Sequence, residues 1–115
     1  MNAEDLTRFG ELLQAVSERR TLDLTELHDA GRLLGEVTLA AAAAASHMRT
    51  EVAALPKRYI LHDDTGDAPE PRIVEARDRL AQMTSLLQQV GTQARRYHGT
   101  IGHIGMQVDP EVASD

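Results

Sequence analysis

The sequence has no cysteine and no tryptophan, and its aromatic residues are Phe9, Tyr59 and Tyr97. Without cysteine the chain has no disulfide, no thiolate nucleophile and no cysteine-ligated zinc site. With so few aromatic residues, its core has to be built from leucine, valine, methionine and alanine. Sandwiches and barrels favour aromatic and β-branched residues, so this composition predicts an all-α fold.

Positive charge and long hydrophobic runs are also scarce. The formal net charge is −6 with histidine neutral. Because phosphate contacts dominate affinity for DNA and RNA, we do not expect nucleic acid as a partner. The apolar run at 39–45 is far shorter than the roughly 20 residues that cross a bilayer. Residues 1–6 are acidic and polar, unlike the start of a signal peptide. We therefore expect a cytoplasmic protein with no membrane segment.

What the sequence does contain is an apolar repeat with a period of seven residues, between residues 73 and 97. Such a repeat predicts a helix that buries a narrow seam against other helices. It indicates how the chain packs and points to no chemistry. The repeat has two rows, which are Ile73, Leu80, Leu87 and Ala94, and Ala76, Met83, Val90 and Tyr97.

Three helices of unequal length are expected, and together they form one domain at residues 1–98. A flexible, glycine-containing tail at 99–115 follows them. The predicted helices cover residues 3–19, 24–55 and 72–98.

Local signals give the helix boundaries. Asn2 can cap the first helix. Asp23 and Glu26 have the spacing of a capping box at the start of the second helix. Pro56 is expected to stop that helix, because proline lacks the N–H that would continue it. Gly99 is expected just past the end of the third helix.

The connector between the second and third helices permits an antiparallel hairpin. Small residues, Ala41 and Ala44, are expected opposite larger ones, so that the two backbones approach closely. The larger residues are Met83, Leu86 and Leu87. The first helix reaches only half-way along the second. It contributes the apolar stripe Leu6, Phe9, Leu13 and Val16.

The predicted fold is therefore a short N-terminal helix packed on a long antiparallel helical hairpin. The uncovered half of the hairpin needs a second chain, most simply in a homodimer. The residues expected to associate are Ala41, Ala44, Met48, Leu80, Met83 and Leu87.

Arginine residues collect at two of the predicted helix ends. Arg19 and Arg20 end the first helix, and Arg95 and Arg96 end the third. In the expected bundle the four side chains meet at one end. They can act as favourable cations at helix C-termini or as a binding site for an anionic partner.

Catalytic and metal-binding patterns are weak in this chain. Glu26 with Asp29, and Glu75 with Asp78, are similar to the acid pairs with which helical pyrophosphohydrolases bind magnesium. Each pair lies in the first turn of its own helix, where the helix dipole favours acids. The histidines lack the spacing of di-iron or zinc helices, and residues 62–67 read as a solvated acidic turn. We expect no catalytic residue, no metal and no cofactor.

The sequence thus predicts a non-enzymatic assembly or adaptor protein that acts through helix-mediated association. Two alternatives stay open. One is a regulatory accessory protein, antitoxin-like, that binds an acidic protein or nucleic acid through its arginines. The other is an oligomeric, metal-dependent nucleotide hydrolase. Dependence of activity on metal, and of binding on salt, distinguishes these alternatives from simple association.

Overall fold

A computed structural model describes residues 1–105 and consists of three α-helices. Helix α1 is Ala3–Ser17, α2 is Leu24–Arg58 and α3 is Glu70–Ile101. Helices α2 and α3 pack as a hairpin, and α1 packs less extensively. The predicted all-α class, with a short helix on a helical hairpin, is confirmed. The second chain that would complete it stays a prediction.

Both predicted helix caps are present. Asn2 Oδ1 accepts a hydrogen bond of 2.8 Å from the Asp5 backbone N–H. The Glu26 N–H donates to Asp23 Oδ1 at 2.8 Å, and the Asp23 N–H donates to Glu26 Oε1 at 3.2 Å. Each bond satisfies a backbone donor that has no partner inside its own helix. Local sequence therefore decides where α1 and α2 begin.

Helix ends follow the sequence less closely. α1 ends at Ser17 because Arg19 adopts a left-handed conformation, with φ of 55°. The Arg20 N–H then donates back to the Ala15 carbonyl at 2.8 Å, as in a Schellman C-cap. α2 runs through Pro56 to Arg58. A proline so close to the end costs the helix a single hydrogen bond, so α2 continues for two residues beyond Pro56.

α3 also extends further than predicted. It starts at Glu70 and continues through Gly99 to Ile101. His28 supports the last turn, since its Nε2 lies 2.9 Å from the Ile101 carbonyl oxygen. This contact, made by a residue of α2, outweighs the preference of Gly99 for a helix end. Of the predicted tail, residues 99–101 are thus helical, and residues 106–115 lie outside the described part.

The described chain divides into two compact units. The α1 unit contains Met1–Gly35 and the described residues from Thr92 onward, that is, α1 and the parts of α2 and α3 beside it. The tip unit, Glu36–Gly91, contains the rest of the hairpin and the connector between its helices.

In the α1 unit, the buried side of α1 lies one residue away from the predicted stripe. Leu12 and Ala15 are buried with Leu33 of α2. Of the predicted stripe, only Phe9 is half-buried. The remaining residues of that stripe are exposed, and they are Leu6, Leu13 and Val16.

Two ion pairs accompany this orientation of α1. Arg8 Nε lies 3.4 Å from an Asp29 carboxylate oxygen, and Arg32 Nη2 lies 3.4 Å from Asp5 Oδ1. Both pairs join the side of α1 that bears Asp5 and Arg8 to α2. Polar residues of α1 are therefore part of its contact with α2. A prediction based only on apolar residues overlooks them.

The tip unit corrects the predicted register of the hairpin in the same way. The buried alanines of α2 are Ala42 and Ala45, whereas Ala44 is exposed. The reason is a close approach at Gly91 of α3, where a Cβ atom would lie 3.1 Å from Thr38 Oγ1. Small residues such as Gly91 thus lie where the two helices are in close contact. Part of the predicted heptad row therefore faces solvent.

Candidate interaction surface

An apolar row on each helix of the tip unit faces solvent. In α2 the first two residues of the row lie one position before the buried Ala42 and Ala45, and the third follows at helical spacing. In α3 the row lies one position before Gly91 and the half-buried Thr84 and Leu87. The rows consist of Ala41, Ala44 and Met48 in α2, and Met83, Leu86 and Val90 in α3.

The two rows lie on the same side of the hairpin. Consecutive residues of an α-helix are about 100° apart around its axis. α2 and α3 face one another and run in opposite directions. In both helices, therefore, the residue that precedes an interface residue points to the same side of the hairpin. We call the surface formed by these six residues the open face.

The open face is apolar throughout, and its large side chains are far from buried. Met48, Met83, Leu86 and Val90 are between 48 % and 59 % exposed. Single exposed apolar residues are ordinary, whereas contiguous apolar patches mark interaction sites. Leu39 and Val74 are exposed too. Each of them comes directly after a buried or half-buried residue in the sequence, so it lies on the other side of the hairpin.

The predicted interaction residues therefore separate into two groups. Ala41, Ala44, Met48 and Met83 are members of the open face. Leu80 is buried between α2 and α3, and Leu87 is half-buried. These two leucines hold the hairpin together, and Leu80 is not available to a second chain in this fold.

An apolar pocket of about 280 Å³ lies at the tip of the hairpin. Leu55 follows Met48 by seven residues, and Ala76 precedes Met83 by seven, so the pocket lies along the same two helix rows. In α3 the exposed Arg79 separates it from Met83. The connector closes it from the side of the tip. Its apolar walls are Val52, Leu55, Leu61, Pro69, Ile73 and Ala76, and His62, Asp63 and Arg72 complete the lining.

Asp63 braces the wall of this pocket. Its carboxylate accepts hydrogen bonds from the Thr65 hydroxyl at 2.6 Å and the Thr65 N–H at 2.8 Å. Arg72 Nε donates to the other oxygen at 3.1 Å, and the Asp63 side chain is 4 % exposed. The Thr65 hydroxyl, then the Thr65 N–H, with a further contribution from Arg72, hold the pKa of Asp63 well below its ordinary value.

We expect Asp63→Asn to destabilise the protein at neutral pH, because the charge that Thr65 and Arg72 stabilise is lost. A depressed folded-state pKa contributes stability above the unfolded value of about 3.9. That contribution is lost as the pH falls toward the folded-state pKa. In urea titrations the two proteins should therefore differ most at neutral pH, and the difference should shrink steadily as the pH falls below about 4. Asp78→Asn, at an exposed carboxylate of α3, is the matched control and should change little. A difference between Asp63→Asn and the native protein that does not depend on pH would contradict the brace.

The predicted arginine cluster makes local contacts. Arg20 Nη2 lies 2.9 Å from Glu26 Oε2, and Arg95 Nη2 donates to Thr92 Oγ1 at 3.4 Å. Arg19 has the left-handed backbone conformation that ends α1. Arg19 and Arg96 are both exposed. Convergence of the four side chains on one ligand stays a prediction. The ion pair to Glu26 reduces the positive charge that Arg20 offers to an anion.

Three of the four residues in the predicted acid pairs have structural partners of their own. Glu26 completes the capping box, Asp29 pairs with Arg8, and Glu75 Oε1 lies 3.0 Å from Arg79 Nη2. Within residues 1–105, no three or more His, Asp or Glu side chains are grouped so that they could hold a metal ion. Among the helices of the same range, none is both long and apolar enough to cross a bilayer.

No protein-family model matches this chain, and neither a curated protein nor a solved structure matches it.

Sequence reasoning missed the tip pocket. Leu61 and Pro69 belong to the connector, and nothing in their spacing indicated that the connector would fold against Leu55 and Ile73. The available signal was the apolar run at 60–61 beside an acidic turn, which is too short to predict burial. Met83 and Val90 of the open face belong to the second row of the heptad repeat, but the sequence did not indicate that they would be exposed.

Proposed function

We propose that this chain is a non-enzymatic assembly or adaptor protein that associates through the open face, and that its first partner is a second copy of itself. The observation that supports the proposal is the open face, a set of six apolar residues on one side of the hairpin. A partner for such a surface has to be apolar as well, and a second copy supplies a surface of the same kind.

The energetics favour pairing of two such faces. Burying a large aliphatic side chain completely stabilises by roughly 1.5–3 kcal/mol, so covering the exposed half of each contributes about 1 kcal/mol. In a two-fold symmetric dimer each contribution occurs twice, because the same patch is buried on both copies. The sum has to exceed the loss of translational and rotational freedom on association. Four large side chains on each copy contribute about 8 kcal/mol in all, so we expect weak association rather than a nanomolar dimer.

Leu86→Asp tests the proposal. Light scattering of the unsubstituted protein at micromolar concentration should give about twice the chain mass of 12.6 kDa. Leu86→Asp should give the mass of a single chain, because a charge would have to be desolvated in the contact. Circular dichroism should show unchanged helicity, since Leu86 is 59 % exposed.

Leu39→Asp is the matched control. Leu39 has the same chemistry and is 61 % exposed, but it lies on the opposite side of the hairpin. It should retain the dimer mass. A monomer in the unsubstituted protein, or equal effects of the two substitutions, would overturn the proposal that the open face is the contact.

A further inference from the structure

We propose that the tip pocket of one copy receives Ile60 of a second copy, and that the exchange is reciprocal. This inference rests on self-association as proposed above. It adds a second point of contact and an orientation, with the two hairpin tips side by side.

The first observation is the exposure of Ile60, whose side chain lies entirely in solvent. Along this part of the connector the exposure alternates. Ile60 and His62 are exposed, whereas Leu61 and Asp63 are half-buried. Of these four residues only Ile60 takes no part in the pocket lining. Because Leu61 already forms part of the wall, its neighbour is directed away from the pocket of its own chain. Ile60 is therefore available to another molecule.

The second observation is the pocket itself. Its volume of about 280 Å³ is several times the share of liquid volume taken by one water, roughly 30 Å³, and so leaves room for an aliphatic side chain. Six of its nine lining residues are apolar. The Asp63 brace ties the connector to Arg72 of α3 at 3.1 Å. The pocket is thus largely formed before anything binds, as ligand sites usually are.

The third observation is the relation between the two parts. Ile60 is adjacent in sequence to Leu61, which lines the pocket, so the projecting side chain and the pocket belong to the same tip. A surface that carries both is self-complementary. A two-fold axis that brings Ile60 of one copy to the pocket of the other also brings the reverse pair together. A partner with an unrelated tip would gain only one of these contacts.

Disulfide trapping tests the geometry, because the native chain has no cysteine. The protein carrying Ile60→Cys is mixed with the protein carrying Ala76→Cys, one of them with a tag that changes its mass, and the mixture is oxidised. We expect a mixed disulfide-linked dimer on a non-reducing gel. A mixture of Leu39→Cys with Ala76→Cys is the control and should give little of it. Equal yields in the two mixtures would overturn the proposal.

A second variant measures the contribution of Ile60 to affinity. Ile60→Asp should raise the dissociation constant of the dimer by roughly tenfold or more, since two contacts are lost. Its helicity and melting in dilute, monomeric solution should not change, because the residue makes no buried contact there. Tyr59→Asp, at the neighbouring exposed residue, should have the smaller effect.

The outcomes separate this inference from the proposed function. If Leu86→Asp dissociates the dimer while Ile60→Asp leaves its affinity unchanged, the exchange of Ile60 is wrong and the open face stands. If Ile60→Asp dissociates the dimer and Leu86→Asp does not, the tips pair without the open face. A protein that is monomeric at all concentrations contradicts both.

Discussion

Leu33→Ala is expected to lower the free energy of unfolding by about 2–5 kcal/mol. Leu33 is the largest side chain of the described residues that is fully buried. Its removal loses apolar contacts and leaves a cavity that surrounding helices fill only in part. The total stability of a domain is about 5–15 kcal/mol, so the loss is large. Urea unfolding followed by circular dichroism measures it.

Leu34→Ala is the control for this prediction. Leu34 is the next residue in the same helix and is 42 % exposed. Its loss should cost at most about 1 kcal/mol, since part of the side chain is in water already. Both substitutions make the same change in helix propensity, so their difference reports burial alone. Similar losses at the two positions would show that α2 is rotated from the orientation described.

Leu80→Asp is expected to unfold the tip unit. Leu80 is buried between α2 and α3, and a carboxylate there has no partner. Placing an unpaired charge in an apolar interior costs several kcal/mol, which is comparable with the stability of the whole protein. The expected result is a large loss of helical signal in circular dichroism at neutral pH.

Leu86→Asp provides the comparison, because it makes the same substitution six residues further along α3. Leu86 is exposed, so this variant should keep its helicity and lose only its association. The pair therefore distinguishes a residue that holds the hairpin together from one that meets a partner. Equal loss of helicity in the two variants would mean that the open face belongs to the core of the chain.

Local signals in the sequence were sufficient for the existence of the three helices and for the starts of α1 and α2. Asn2 and the Asp23–Glu26 capping box act within one helical turn, so their outcome depends on few residues. The ends were less predictable. α3 continues past Gly99 because His28, some seventy positions earlier in the chain, supports its last turn. A contact of that sequence separation cannot be read from a local pattern.

The sequence also did not predict the rotation of each helix about its own axis, that is, which of its rows is buried. Selecting the most apolar row assigned Leu13, Ala44 and Met83 to the interior, and all three are exposed. The contacts instead place Gly91 beside the Thr38 side chain and pair Arg8 with Asp29. Apolar periodicity reports which rows prefer burial, whereas backbone distance and charge pairing decide which rows are buried within one chain.

By itself the sequence determined a helical protein with three helices, a hairpin and apolar rows in excess of what one chain covers. It did so because capping, helix propensity and heptad periodicity are properties of short segments. Only the tertiary structure decided which row stays open and that the connector forms a pocket beside an exposed Ile60. Those features depend on where two backbones approach, and that distance is a result of packing all the side chains between them at once.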